Sequence, residues 1–365
     1  MSTSSFEVSL VQEEQQEKQP KGNNLWIGIV LTVLALCGGS SIIPFVDEYK
    51  GVDVVLRNIW RWQILVVYCL PCSVYFWYNS RKFIEVEKVF TRETWIELFV
   101  SALLWIFGSI LYIWSSDFTL VSHSGLLGNL AGVFLVMVNI VRAVPVHRLE
   151  VYGTILVVIS AIIFMNDNAS TKTNGQTNIL LGDIMSLCSA PIFGMYYVYN
   201  SRLLQKLPAM VILQISFTIQ LVIHIVFYIL VMKTDKFYSF DSYYGVLGWA
   251  SDTYLFHSLV FIGISTGLFG VGGYVFTLNF FPPHIVGNIF LLEPVFAQSL
   301  GCILGQDNIP GLITYIGTIG ITVGLGILIK GDLLNKQTCQ DTPNPSEAIK
   351  QADSKSVHSS LIIDP

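Results

Sequence analysis

Glu293 stands in an otherwise apolar run, Ile285–Gly305, and is followed at once by Pro294. About eight residues into a helix that rises 1.5 Å per residue, this carboxyl group lies ~12 Å deep. That depth is close to the middle of a hydrocarbon core ~30 Å thick. An ionisable side chain there is expensive and normally faces the bundle interior or a water-filled cavity. It can carry a proton or bind an ammonium group on a substrate. Pro294 removes a backbone donor and interrupts the helix, which frees carbonyl groups for a site. The competing reading makes Glu293 a structural glutamate bonded to a neighbouring helix. A second pattern lies in Leu120–Val141, where Ser122, Gly125, Asn129, Gly132, Val136 and Asn139 recur every three or four residues. They share one helix face. Small and amide side chains suit either a cavity wall or close helix packing. Asn129 is the best-placed cavity candidate because it lies near mid-span, and Gly132 shares its stripe.

Other residues bear on gating and packing. Arg57 and Arg61 lie one turn apart, with Trp60 and Trp62 beside them. They read as an interfacial anchor with snorkelling arginines, or as a gate pair with Asp117 or Asp47. Asp183 either lines an outer vestibule or caps a helix. His224 reads as a lone hydrogen-bonded histidine, and His123 as an interfacial residue. Tyr112, Trp114, Tyr196, Tyr197 and Tyr199 offer stacking faces or belong to an aromatic belt. Gly263 with Gly267, and Gly320 with Gly324, form GxxxG spacings that let helices approach closely. They suit an intramolecular seam or a homodimer. Gly270, Gly272 and Gly273 are not followed by the Lys-Ser/Thr of a phosphate loop. Cys69 and Cys72 flank Pro71 inside an apolar helix and read as packing residues. The six histidines include no HExxH and no nucleophile motif is evident, so neither an enzyme, a metal site nor a cofactor is expected.

The elements that must position these groups are membrane helices. Charged residues make up 12% of the 365-residue chain and hydrophobic residues 53%, against ~25% charged in ordinary soluble domains. Apolar runs of about the length that a bilayer requires occupy Leu25–Val46, Leu56–Tyr78, Trp95–Ser115, Leu120–Val141, Leu149–Met165, Ile179–Tyr199, Ala209–Met232, Tyr254–Thr277, Ile285–Gly305 and Gly311–Ile329. The pattern predicts an all-α membrane protein with ten transmembrane helices and the lipid bilayer as its first partner. Residues 1–24 and 331–365 are polar and read as disordered tails. The first of these carries Glu13, Glu14 and Glu17, the wrong flank for a cleaved secretory signal. No basic patch interleaved with aromatics points to nucleic acid.

Basic side chains set the orientation. With the N-terminus inside, twelve Lys and Arg fall on inner segments, against six outside even when Arg57 and Arg61 are counted there. The positive-inside bias therefore puts both termini in the cytoplasm, in the plasma membrane or an endomembrane. Asn168-Ala169-Ser170 is a glycosylation sequon, and it falls in a loop that this topology places outside. The chain also reads as two five-helix repeats, 25–165 and 179–330, joined by an extracytoplasmic loop at 166–178. Gly132-Val133-Phe134 and Tyr152-Gly153-Thr154-Ile155 in the first align with Pro294-Val295-Phe296 and Tyr315-Ile316-Gly317-Thr318-Ile319 in the second. Five spans per repeat make the two inverted, a design in which transporters rock about a midplane site.

Leu292-Glu293-Pro294-Val295-Phe296, then Gly305, then Gly317-Thr318-Ile319-Gly320 through Gly324 resembles the terminal pattern of the EamA-like group of the drug/metabolite transporter superfamily. Gly182-Asp183, with Tyr196, Tyr197 and Arg202, is similar to the opening of that group's second repeat. The resemblance covers residues ~25–330 of the chain. It departs at Gly305-Gln306, where the group commonly has Gly-Glu, and at Ala131-Gly132, which stands where the second repeat has Glu293-Pro294. The resemblance implies a secondary transporter for a small organic metabolite, working by alternating access, with proton coupling through Glu293 as one form of drive. A nucleotide-sugar or sugar-phosphate exchanger is the near alternative, although no basic residue lies inside the later spans to meet a phosphate. A membrane receptor or scaffold is the alternative of a different class.

Overall fold

The computed structural model describes residues 22–49, 51–80, 89–115, 118–119, 121–166, 178–232, 237–304 and 311–341. Every regular element among them is helical, as lipid demands of a chain that must satisfy its own backbone groups. In chain order the helices are α1 (Gly22–Ser40), α2 (Ile42–Asp47), α3 (Val54–Ser80), α4 (Arg92–Ser115), α5 (Val121–Gly128), α6 (Ala131–Val141), α7 (Arg148–Met165), α8 (Ile179–Lys206) and α9 (Ala209–Met232). There follow α10 (Leu255–Thr277), α11 (Pro283–Ile289), α12 (Glu293–Ile303) and α13 (Leu312–Asp341). Within α10, Ser258–Val271 is wound as a π-helix.

Among the described residues, eight stretches are long and apolar enough to cross a membrane: 26–46, 55–79, 92–115, 124–141, 179–206, 209–231, 255–277 and 312–335. The chain is a multi-pass membrane protein. Its outward faces are apolar, with Trp26, Val30, Val67, Val74, Ile159, Leu230 and Ile319 all exposed. The fifth expected span corresponds to α7, which is 18 residues long. The ninth corresponds to α11 and α12, joined by the 3-10 turn Phe290–Leu292.

Local sequence explains the ends and breaks. His147 caps α7: its backbone N–H donates to Glu150 Oε1 at 3.0 Å, and the N–H of Leu149 donates to His147 Nδ1 at 3.2 Å. This is the reciprocal logic of a capping box. Pro294 falls in the first turn of α12, where a missing N–H costs no helical hydrogen bond. The break therefore precedes the proline. Between α5 and α6, Asn129 donates from Nδ2 to the Gly125 carbonyl at 2.8 Å.

Helices pack in antiparallel pairs: α7 with α13, α4 with α8, α3 with α9, α1 with α10, α6 with α11, and α5 with α12. Glycines close several of these seams. A Cβ on Gly38 would sit 2.6 Å from the Ser265 carbonyl oxygen, and one on Gly287 would sit 2.5 Å from the Gly132 nitrogen. Gly324 would meet Val157 Cγ2 at 2.7 Å, Gly320 would run into Ser160, and Gly263 would meet Tyr68 Cε2 at 2.6 Å. Gly267 faces Leu65. Both GxxxG spacings are thus filled from within the chain.

Candidate functional site

The two broken segments cross, and the chemistry gathers at the crossing. Glu293, the first residue of α12, is 5% exposed. Its Oε2 accepts from Asn129 Nδ2 at 3.0 Å and from the Tyr274 hydroxyl at 3.1 Å. Asn129 comes from the break between α5 and α6, and Tyr274 from the last turns of α10. The Ser40 hydroxyl lies 2.9 Å from the Glu293 carbonyl oxygen and 2.6 Å from that of Leu36, which fastens the end of α1 to the start of α12. Gly39 leaves the space that the Tyr274–Glu293 pair occupies. A Cβ there would overlap the Tyr274 hydroxyl and lie 3.2 Å from Glu293 Oε1.

These groups open on a cavity of about 30 Å³, room for one or two waters. Ile42, Arg61, Trp105, Ser109, Tyr112, Ile113, Asn129, Phe193, Tyr197, Tyr274 and Glu293 line it. The wall is aromatic. Trp105 and Tyr274 have ring centroids 6.0 Å apart, Tyr197 and Tyr274 6.5 Å, and Trp105 and Phe193 5.4 Å. Tyr112 needs a bare neighbour: a Cβ on Gly128 would lie 2.5 Å from its Cδ2.

Arg61 is the unexpected member. It is 2% exposed, and its Nε and Nη2 are buried without a hydrogen-bond partner among the described residues. Its guanidinium carbon lies 5.0 Å from the centre of the Trp62 ring. An interfacial anchor would keep its charge in water; Arg61 faces the cavity that Glu293 shares. Trp105 also has a buried Nε1 with no acceptor among the described residues.

The other sequence candidates lie elsewhere. Arg57 donates from Nε to the Val52 carbonyl at 2.8 Å and does not line the cavity. Asp183 accepts from the Thr119 hydroxyl at 2.6 Å. Pro294 packs against Gly125, where an added Cβ would sit 3.3 Å from the proline Cγ. Gly132 meets Asn288, with a Cβ only 2.6 Å from its Cγ; it serves the helix crossing and not the cavity. His224 holds its hydrogen bond, Nδ1 to the Gln220 carbonyl at 2.8 Å. Asp117, Asn168 and the Gly305-Gln306 pair lie outside the described residues, as does the side chain of Asp47. Trp105, Ser109, Tyr274, Gly39 and Ser40 escaped the sequence reading. The run Gly38-Gly39-Ser40-Ser41 was the available signal, since four small residues in an apolar helix make room for a large neighbour.

Residues 180–330 match the model of the EamA-like transporter family. A solved structure, described only as a protein crystal structure, superposes with a TM-score of 0.60 over 84% of this chain and 98% of its own, at 12% sequence identity. The likeness is one of fold. No curated protein sequence matches.

Proposed function

We propose that this chain, EamA-like over residues 180–330, is a secondary transporter that moves a small organic metabolite across a membrane by alternating access. The observation that carries the reading is the buried Glu293 carboxylate, held by Asn129 and Tyr274 from two other helices on the wall of an aromatic cavity. Binding residues come from both ends of the sequence, as expected of a site between two repeats. The family match supports transport of a solute, and Glu293 supplies a group able to exchange a proton with it.

We read α7 and the α11–α12 segment as the remaining two of ten spans. The packing pairs support an inverted repeat of 25–165 and 179–330. Exchanging the repeats turns α1·α10 into α8·α4 and returns α3·α9, α7·α13 and the two broken segments to themselves, and all of these pairs pack. Both termini lie in the cytoplasm on the basic-residue count, with Asn168 outside; an endoglycosidase mobility shift at Asn168 tests that orientation. The cavity of about 30 Å³ is far below the ~300–1,000 Å³ of ligand pockets, so a metabolite enters only when the helices part.

The test is uptake by proteoliposomes from a metabolite mixture, read by mass spectrometry against empty vesicles, with and without a proton gradient. The expected result is selective, saturable uptake that Glu293→Gln abolishes while the variant remains folded. Wild-type flux and pH response in Glu293→Gln would remove Glu293 from the mechanism. Saturable binding without flux would favour a receptor.

A further inference from the structure

We propose that the substrate is a small zwitterion carrying a carboxylate and an amine, and that Arg61 receives the carboxylate while Glu293 receives the ammonium group. This rests on the transporter reading above and names the solute class of the same site.

The argument begins with unmet hydrogen-bond demand. Arginine keeps its charge in proteins and has donors only. Arg61 is 2% exposed, yet its Nε and Nη2 meet no acceptor among the described residues. Trp105, on the same cavity, has a buried Nε1 in the same condition. A buried charge left unpaired is costly, and buried donors are almost always satisfied. The cavity therefore lacks an acceptor with negative charge. Nε and Nη2 form one edge of the guanidinium fork, the geometry that takes a carboxylate through two parallel hydrogen bonds.

Glu293 has the opposite need. Both hydrogen bonds to the Glu293 carboxylate land on Oε2. Oε1 accepts none among the described residues. Asn129 and Tyr274 orient the carboxylate without neutralising it. Arg61 and Glu293 line one cavity without forming an ion pair, so a ligand of opposite polarity at its two ends satisfies both. The rings of Tyr112, Tyr197 and Tyr274 line the same cavity. Aromatic faces attract an ammonium group and accept an apolar substituent. A single guanidinium suits a carboxylate of one charge better than a phosphate of two.

The test uses full-length protein in liposomes and matched solutes. Alanine is compared with propionate and ethylamine, and phenylalanine with 3-phenylpropionate and phenethylamine. Equilibrium binding is read by tryptophan fluorescence and uptake by radiolabel. Wild-type protein is expected to bind and move a zwitterion and to bind each half-molecule about a hundredfold more weakly, the penalty for leaving a buried charge unpaired. Arg61→Gln is expected to lose zwitterion binding by a similar factor while its melting temperature stays level or rises, because a buried unpaired charge has gone. Arg61→Lys keeps the charge but not the fork and is expected to bind between the two. Wild-type binding in Arg61→Gln would overturn the proposal, as would equal binding of an amine and its zwitterion. Should Arg61→Gln fail to fold, the solute comparison on wild-type protein decides alone. Selective uptake of some other solute, with no zwitterion moved, sinks the zwitterion and leaves the transporter standing. Uptake of nothing from the metabolite mixture sinks both.

Discussion

Gly39→Ala places a single methyl group against the site and gives the sharpest test of its geometry. The new Cβ would overlap the Tyr274 hydroxyl and lie 3.0 Å from its Cζ. The hydroxyl must retreat by about 1 Å, and its 3.1 Å hydrogen bond to Glu293 then passes beyond the useful range. Overpacking costs ~1–3 kcal/mol, and an interhelical hydrogen bond in a membrane contributes ~0.6–1.7 kcal/mol. Together these give a destabilisation of ~2–5 kcal/mol. Tyr274→Phe alone loses only the hydrogen bond. In the double variant the methyl group meets a ring without its oxygen, so the overlap largely vanishes. Gly39→Ala/Tyr274→Phe should therefore be little worse than Tyr274→Phe, with a coupling energy close to the whole cost of Gly39→Ala, ~2–5 kcal/mol. The measurement is a double-mutant cycle of unfolding in mixed micelles, followed by circular dichroism, with solute uptake recorded in parallel. Additive costs would refute the reasoning, because they would mean that Gly39 and Tyr274 do not share this space.

Gly38→Ala should destabilise by at least ~1–3 kcal/mol, since its Cβ meets backbone of α10 that cannot yield, with the Phe269 carbonyl carbon at 2.7 Å. Gly326→Ala meets nothing within 4 Å and should be neutral or gain up to ~1 kcal/mol of helix propensity; equal effects in the same unfolding assay would count against the α1–α10 seam. Spin labels on Val33→Cys in α1 and Phe269→Cys in α10, both lipid-exposed, should hold one distance with and without substrate. Val33→Cys paired with Met195→Cys in α8 should give two distances, and a single unchanged distance there would exclude a motion between these helices.

Glu293 and Asn129 were legible because each is a polar group in an apolar run, and lipid makes such groups conspicuous. That they bond to each other follows from the crossing of their broken segments, which the recurring small residues of the Asn129 stripe hinted at. Arg61 was misplaced for a physical reason. It stands near the start of an apolar run beside two tryptophans, which is also how a membrane-interface belt looks. What distinguishes it is tertiary: the segment after α9 folds over that end of α3. Trp60 donates from Nε1 to the Gly245 carbonyl at 2.9 Å, and Trp249 donates from Nε1 to Gln63 at 2.7 Å. This cover extends the buried zone beyond the apolar run and carries Arg61 inside with it. Trp105 and Tyr274 left no trace at all, because aromatic residues in apolar helices are commonplace and only their convergence marks a site.

The seams also constrain how the cavity opens. Close helix-to-helix backbone approaches join one half of the sequence to the other: Gly38 of α1 against α10, Gly132 of α6 against Asn288 of α11, and Gly153 of α7 against Gly324 and Leu328 of α13. Parting the two sequence halves cleanly would break every one of these contacts at once. Packed glycine seams interlock and do not stretch, so under the proposed alternating access the moving bodies would each contain helices from both halves. The packing offers two such bodies, α1 with α10 and α4 with α8, which the repeat would exchange. They meet at the cavity through aromatic edges, Trp105 and Tyr197 on one side and Tyr274 on the other. Ring contacts can slide and re-form, whereas helix backbones in contact cannot. Glu293 is tied to α1 through Ser40 and to α10 through Tyr274, so in the proposed motion it would travel with that body. Its bond to Asn129 then crosses the line of movement, and a substrate or proton that replaces Asn129 at the carboxylate would release the helices to move.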